Sequence, residues 1–427
     1  MNIKYKITVL LLCFFGTILA QQTPGLKQNN AITITGVTAH IGNGEVILNC
    51  TIIFENGKIT SISNSNNSNS LKGTVIKAEG KHVYPGFITT NSSLGLVEID
   101  AVRASIDSDE IGKMIPHVRS LIAYNAESKV VESMRPNGVL LGQISPKGGV
   151  ISGTSSIVQF DAWNWEDAAI KVDDGIHLNW PNTFSRNRRE GTTEMNKKYA
   201  EEIDKINLFV NESKAYNSGN KTIKNLPYEA TKGLFDGTKK LYVHVNDEKG
   251  MIDAINFKVS HSIPKMVIIG GYHANRIADL LIKYDIPVLV NHSQSLPANN
   301  DDDYDFPYKL AKLLIDAGVL VGIQNGSDSD FQARNLPFYA GQVVGQGLDK
   351  EKALQLITSN TAKILKIDAD YGTLEVGKSA TLFISEGDAL DMRTNILTHA
   401  FIDGRMISLE THQTELWKRY SNKYISK

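Results

Sequence analysis

The fold is decided by residues 241–270, which read 241-LYVHVNDEKGMIDAINFKVSHSIPKMVIIG-270. The segment begins and ends with short apolar runs, 241–245 and 266–270, and a helix candidate lies between them at 249–259. A strand, a helix and a second strand in this order are the repeating unit of a parallel α/β sheet.

The same alternation continues in both directions from this unit. Further buried strands are predicted at 139–144, 155–160, 287–290 and 319–323, and further helices at 195–214, 274–285, 307–318, 337–347 and 350–365. Repeated βα units over residues 85–368 predict the α/β class and a (β/α)8 TIM-like barrel.

Both ends of the chain are rich in strand patterns. We predict that residues 30–84 and 369–410 form one small composite β-sandwich domain beside the barrel, and that 411–427 is a C-terminal tail. The glycine-rich stretch 148–156 lacks the Gly-Lys-Ser/Thr of a phosphate loop, so we interpret it as a tight loop near the barrel mouth.

Composition limits the classes of function. The chain has 427 residues, 41% hydrophobic and 21% charged, which is ordinary for a globular protein with a sizeable core. A net charge of −1 gives no indication of a nucleic-acid partner.

The first twenty residues have the pattern of an export signal. Lys4 and Lys6 precede an apolar run, 7–19, and Ala20 follows it. We expect residues 1–20 to be a signal peptide cleaved after Ala20, because the run is too short for a good membrane span. The mature protein would then be periplasmic or secreted, with no integral membrane segment, and Cys50 would be its only cysteine.

Several stretches carry a resemblance to a known family. They are 55-ENGKI-59, 85-PGFI-88, 328-DSDFQARNLPFYAG-341, 355-QLITSNTAKILKI-367, 372-GTLEVGKSA-380 and 401-FIDGR-405. Together they resemble the amidohydrolase superfamily, in its imidazolonepropionase-like and prolidase-like branch. The resemblance implies a divalent metal, zinc first, at the mouth of the barrel, where it would activate water for hydrolysis.

The resemblance also implies which residues hold the metal. After the first barrel strand the family pattern expects two histidines spaced His-x-His, and this chain has Asn91-Ser92-Ser93, with Asn91 and Ser93 at the two histidine positions. His244 matches the ligand on the fifth strand, and Asp328 matches the aspartate after the eighth, as ligand and catalytic acid or base.

Other positions are less closely tied to the pattern. His177, His273 and His292 could supply a further ligand, and Asn179 and Arg186 could contact a substrate. A surface or buried structural role remains the alternative for each of them.

Two functions remain open from the sequence. The first is a hydrolase of C–N bonds in non-peptide compounds or dipeptides, with an altered metal site, for which a single metal ion is one option, and a small substrate such as a cyclic amide or dipeptide. A hydrolase that uses Asp328 as base without a metal is a variant of it. The second is a catalytically inactive protein that binds or assembles with an active relative, as a homo- or hetero-oligomer.

Overall fold

The computed structural model describes residues 23–64, 71–187, 192–219, 223–325 and 330–425. The proposed signal peptide and Asp328 lie outside these ranges. Within them, the chain forms two sheets of eight strands and one short hairpin. No helix in the described ranges is long and apolar enough to cross a membrane.

The strands, in chain order, are β1 (Ile32–His40), β2 (Val46–Glu55), β3 (Lys58–Asn64), β4 (Thr74–Lys77), β5 (His82–Pro85), β6 (Phe87–Ser92), β7 (Val139–Ile144), β8 (Ile151–Gln159), β9 (Ala169–Asn179), β10 (Phe184–Asn187), β11 (Thr192–Met195), β12 (Lys240–Val245), β13 (Met266–Gly270), β14 (Val288–Val290), β15 (Val321–Ile323), β16 (Leu382–Ser385), β17 (Leu397–Ile402) and β18 (Arg405–Met406).

The helices are α1 (Lys129–Glu132), α2 (Trp165–Ala168), α3 (Tyr199–Ser218), α4 (Leu226–Ala230), α5 (Lys232–Asp236), α6 (Glu248–Ser260), α7 (Ala278–Lys283), α8 (Phe306–Asp316), α9 (Leu336–Gly345), α10 (Lys350–Gln355), α11 (Ser359–Leu365) and α12 (His412–Ile425). Short 3-10 turns lie at Arg103–Ser105, Ser120–Ala123, Arg135–Asn137, Ala274–Ile277 and Asp330–Asn335.

The sheet that begins with β6 confirms the predicted barrel. Its order is β6, β7, β8, β9, β12, β13, β14 and β15, and neighbouring strands are parallel except on the two sides of β8. The side chains of β6 to β8 are buried throughout, as are most of those in β12 to β15, which is typical of a parallel sheet covered on both faces.

The antiparallel strand β8 corrects one prediction. Residues 148–156 were predicted to form a loop, but only Gly148 and Gly149 turn, with φ of +79° and +61°. The chain then runs back along β7 from Ile151. Small serine and threonine side chains let β8 lie buried between its two neighbours, and the glycine-rich composition hid this strand.

The first and last barrel strands are joined by a different part of the chain. The Ile88 N–H in β6 donates to the Ile357 carbonyl at 2.9 Å, and the Ile323 N–H in β15 donates to the Leu356 carbonyl at 3.2 Å. These two contacts explain why the helix predicted over 350–365 is divided into α10 and α11, since the carbonyls between them bond to strands.

Strand β6 is irregular where it reaches the barrel mouth. Its register with β7 shifts between Thr89 and Ser92, and Asn91 has a φ of +50°. A bulge of this kind redirects a side chain, and asparagine tolerates the left-handed conformation better than most residues.

The second sheet unites both ends of the chain, as predicted. Strands β16 to β18 continue the sheet from β5, which is paired with β1. A buried ion cluster joins this sheet to the barrel: Arg405 Nη1 lies 3.0 Å from Asp161 Oδ2, and Arg135 Nη1 lies 3.3 Å from Asp161 Oδ1.

Candidate functional site

A cleft of about 310 Å³ opens at the carboxyl ends of the barrel strands. This is the end of such barrels where binding and catalytic residues collect. The residues around the cleft come from most of the strand ends and are largely polar: Asn91, Asn179, Trp180, Pro181, Asn182, His244, Val245, Asn246, Asp247, Ile269, Gly270, Asn291 and Gln324.

Two histidines meet at the base of this cleft. His177 Nδ1, from β9, lies 2.9 Å from His244 Nε2, from β12, so one ring donates a hydrogen bond to the other. His177 is fully buried, and its ring stacks on Tyr242 with centroids 4.8 Å apart. Among the described residues, His177 Nε2 has no hydrogen-bond partner.

Both imidazoles are held in the neutral form. Burial, and then the positive charge of Lys147, lower the pKa of His177 to about 3. Burial, His177 and Lys147 together lower the pKa of His244 well below its ordinary value. Each neutral imidazole has one nitrogen that donates a hydrogen bond and one that accepts, so the pair can bind polar groups without carrying charge.

A buried polar network supports the pair from below. The Tyr242 hydroxyl and the Ser155 hydroxyl each donate to the Asp174 carboxylate, at 2.6 Å in both cases. The Gln143 amide also donates to Asp174, at 3.1 Å, and its oxygen accepts the Asn91 backbone N–H at 3.2 Å. Asp174 therefore fixes the ring on which His177 stacks and the bulge that carries Asn91.

Gly175 makes this packing possible. A Cβ atom at this position would lie 2.3 Å from Tyr242 Cε2 and 2.7 Å from the Lys240 carbonyl oxygen. Only glycine leaves room for the Tyr242 ring to lie flat beside β9.

A row of carboxamides crosses the mouth. Lys147 Nζ donates to Asn91 Oδ1 at 3.3 Å, and Asn91 Nδ2 donates to Gln324 Oε1 at 3.0 Å. Gln324 in turn donates to Asn291 Oδ1. The row links the ends of β6, β15 and β14 by uncharged groups that are both donors and acceptors.

The remaining residues predicted from the sequence lie in different places. Ser93 is buried just past β6, where its carbonyl accepts the Leu96 N–H. The Asn179 amide donates to the carbonyls of Gly148 and Gly149, so it fixes the turn before β8 while it lines the cleft. Arg186 lies in β10 with its side chain outside the described residues.

The recorded side-chain contacts of His273 and His292 are with other residues than the histidine pair. His273 precedes a 3-10 turn and contacts Asn299 at 3.4 Å, and His292 stacks on Tyr339 with centroids 5.1 Å apart. Their roles as ligands stay predictions, as do those of His244 and Asp328.

Sequence reasoning missed Lys147, Gln143, Asn246, Asn291 and Gln324. The last three come directly after, or one residue after, a strand end, and that position is the signal that could have identified them. Lys147 comes after β7, directly before the stretch 148–156 that was interpreted as a loop.

The described donor set does not fit a catalytic zinc. Such a site uses three protein ligands and one open position. Here two imidazoles hydrogen-bond to each other, carboxamides are weak ligands for zinc, and the Lys147 ammonium lies beside Asn91. Within the described ranges, no group of three histidine, cysteine or acidic side chains could hold a metal ion.

Comparison with known proteins agrees with the resemblance. Residues 224–407 match the model of the amidohydrolase family. The solved amidohydrolase from Thermotoga maritima is 20% identical, with a TM-score of 0.77 over 88% of this chain and 99% of that one. The family match covers the chain from α4 to β18, and the solved structure shows that the fold extends over most of the chain. No curated protein matches it.

Two other similar structures share the fold of this chain. A Xaa-Pro dipeptidase with bound methionine in its active site is 14% identical, with a TM-score of 0.55 over 88% of this chain and 100% of that one. Molinate hydrolase is 15% identical, with a TM-score of 0.53 over 90% of this chain and 96% of that one. At these identities the similarity shows a common fold.

Proposed function

We propose that this amidohydrolase-like protein binds small amide-containing molecules at the barrel mouth and does not depend on a metal to do so. The observation that supports the proposal is the donor set of the cleft. The side chains of Asn91, Gln324 and Asn291 present carboxamides to the cleft, and a neutral pair of histidines lies at its base.

The chemistry of these groups matches an amide ligand. A carboxamide side chain presents one acceptor oxygen and two donor hydrogens, so it can pair with the carbonyl oxygen of a ligand amide and with its N–H group where it has one. Several such groups in a half-enclosed cleft can satisfy a buried amide without charge, and an amide left unpaired there would be costly. The neighbours named dipeptidase and molinate hydrolase favour ligands of dipeptide size.

A second candidate is a hydrolase of C–N bonds with an altered metal site. The observation that favours it is the approach of His177 Nδ1 to His244 Nε2 at 2.9 Å, which brings two potential ligand nitrogens together. Asp328 would have to complete the set of three. Assembly with a related amidohydrolase, and export, stay predictions.

The two candidate functions predict different metal contents of the protein and different effects of a chelator on ligand binding. We would measure zinc, manganese and iron in the purified parent and in His244→Ala and Asp328→Asn by elemental analysis. We would then measure binding of N-acetylated dipeptide-sized amides by calorimetry with excess EDTA. The first proposal expects no stoichiometric metal and binding that EDTA leaves unchanged.

Either of two results would reverse this choice. About one metal per chain in the parent, lost in both variants, would favour the hydrolase. Binding that disappears with EDTA and returns with zinc would do the same. Retained binding with EDTA, weakened by Asn91→Ala, would support the metal-independent site.

A further inference from the structure

The position of Lys147 suggests a role that the resemblance does not assign. It follows β7 by three residues, and its backbone N–H donates to the Ser108 carbonyl at 2.6 Å, which fixes its position. Its Nζ donates to the Asn91 carbonyl oxygen at 3.2 Å and to Asn91 Oδ1 at 3.3 Å. The ammonium is thus held against the residue at which the family pattern would place a metal ligand.

The charge of Lys147 acts across the whole mouth. Asn91 lines the cleft together with His244 and Gln324, and the positive charge reaches both His177 and His244. Among the described residues lining the cleft, Asp247 is the one carboxylate. Its Oδ1 accepts from the Thr183 hydroxyl and from the Gly250 N–H at the start of α6, so it caps that helix.

A cleft that is lined by carboxamides and has the Lys147 ammonium held against one of them is suited to an anion. A carboxylate next to a lysine ammonium in a partly enclosed site gains charge-assisted hydrogen bonds, which are stronger than neutral ones. Carboxamide N–H groups can donate to its second oxygen, as Gln324 and Asn291 would at this position.

We propose that Lys147 supplies the positive charge of the barrel mouth and selects ligands that carry a carboxylate beside an amide. This inference rests on the proposed function, because it names the class of ligand that the same cleft takes. No bond is made or broken in it; the lysine binds and orients the ligand.

The test compares two probes that differ in one group. N-acetyl-L-proline carries a carboxylate, and N-acetyl-L-prolinamide replaces it with a neutral amide. Calorimetry with both probes, at millimolar concentration and both with and without excess EDTA, gives the preference of the parent, of Lys147→Met, of Lys147→Arg and of Lys113→Met. Lys113 is exposed on a neighbouring segment, so its variant is the matched control.

We expect the parent to bind the acid about ten- to a hundredfold more tightly than the amide, as one charged hydrogen bond allows. Lys147→Met should lose that preference, while Lys147→Arg and Lys113→Met should keep it. Thermal unfolding of each variant would show that it is folded, and Lys147→Arg keeps the test valid if the methionine variant is not.

The alternatives have separate outcomes. Equal binding of acid and amide by the parent would overturn the role of Lys147 and leave the proposed function standing. A preference for the acid that EDTA abolishes would assign the charge to a metal ion and overturn both proposals. If the parent binds neither probe, both proposals also fail.

Discussion

His177 shows how a single buried residue makes stability depend on pH. Its ring is fully enclosed between Tyr242 and His244, so the protonated form would be a charge with no solvent around it. The folded protein therefore keeps this histidine neutral to a pH at which an unfolded chain would already have protonated it.

The sign of the pH effect follows from that difference. The pKa of His177 is about 3 when folded, and about 6.5 in an unfolded chain. Between these values only the unfolded chain binds the proton, so acid destabilises the protein. Between about pH 4 and pH 6, the free energy of unfolding should therefore fall as the pH is lowered. We expect this slope to be smaller in His177→Gln than in the parent, by about 1.4 kcal/mol per pH unit.

Urea unfolding of parent and variant over this pH range measures the two slopes. The His177→Gln protein will be less stable at neutral pH because its hydrogen bond to His244 changes, but the slope is independent of that offset. Parallel slopes would mean that His177 titrates normally in the folded protein.

Among the elements, β6 has the feature that shapes the site. Its bulge places Asn91 in the left-handed region with a φ of +50°, and from there the side chain joins Lys147 to Gln324. The backbone and the side chain of Asn91 can contribute to stability separately. Glycine adopts this φ without strain and alanine does not, so the two substitutions tell the contributions apart.

A pair of variants separates the two contributions. Asn91→Gly and Asn91→Ala both remove the side-chain hydrogen bonds, but only alanine is strained by the bulge. We expect Asn91→Ala to be less stable than Asn91→Gly by about 1 kcal/mol. Chemical denaturation of both proteins measures the difference, and an alanine variant as stable as the glycine variant would show that β6 straightens without its asparagine.

The elements also show how far sequence reasoning reaches. The strands β7, β12 and β13 and the helix α6 agree with their predicted positions within about two residues, because their apolar patterns are strong and local. The direction of β8 and the break between α10 and α11 were not predictable in this way. The direction of β8 depends on its antiparallel pairing with β7, the strand just before it, which its glycine-rich composition did not indicate. The helix break depends on strands of the barrel seam that are distant in sequence.

The site was predictable in part for the same reason. His244 and Asn91 follow from motif position, and the structure places both at the cleft. The contact of His177 with His244 depends on the register of β9 with β12, and the contact of Lys147 with Asn91 depends on the register of β6 with β7. No local pattern encodes either register.

At the scale of the whole molecule, Asp161 connects the barrel to the second sheet. It is almost completely buried after β8 and lies within ion-pair distance of Arg135, and of Arg405 in β18. Removing one member of a buried ion cluster leaves the others desolvated and unpaired, which costs more than the interaction itself is worth.

We expect Asp161→Ala to lower the free energy of unfolding by about 3–5 kcal/mol. Lys58→Met is the matched control, because Lys58 and Asp370 form an exposed ion pair, which should contribute at most about 1 kcal/mol. Denaturation of both variants, followed by tryptophan fluorescence, measures the two losses. Equal small losses would mean that the two sheets hold together without the buried cluster.

The second sheet has a further consequence for how the protein is made. Strand β5 ends at Pro85, and its neighbour β16 begins at Leu382, roughly 300 residues later. A ribosome adds about 5–20 residues per second, so β5 waits on the order of tens of seconds for its partner. During that time its edge is open to other strands, so a segment synthesised early is among the last to finish folding.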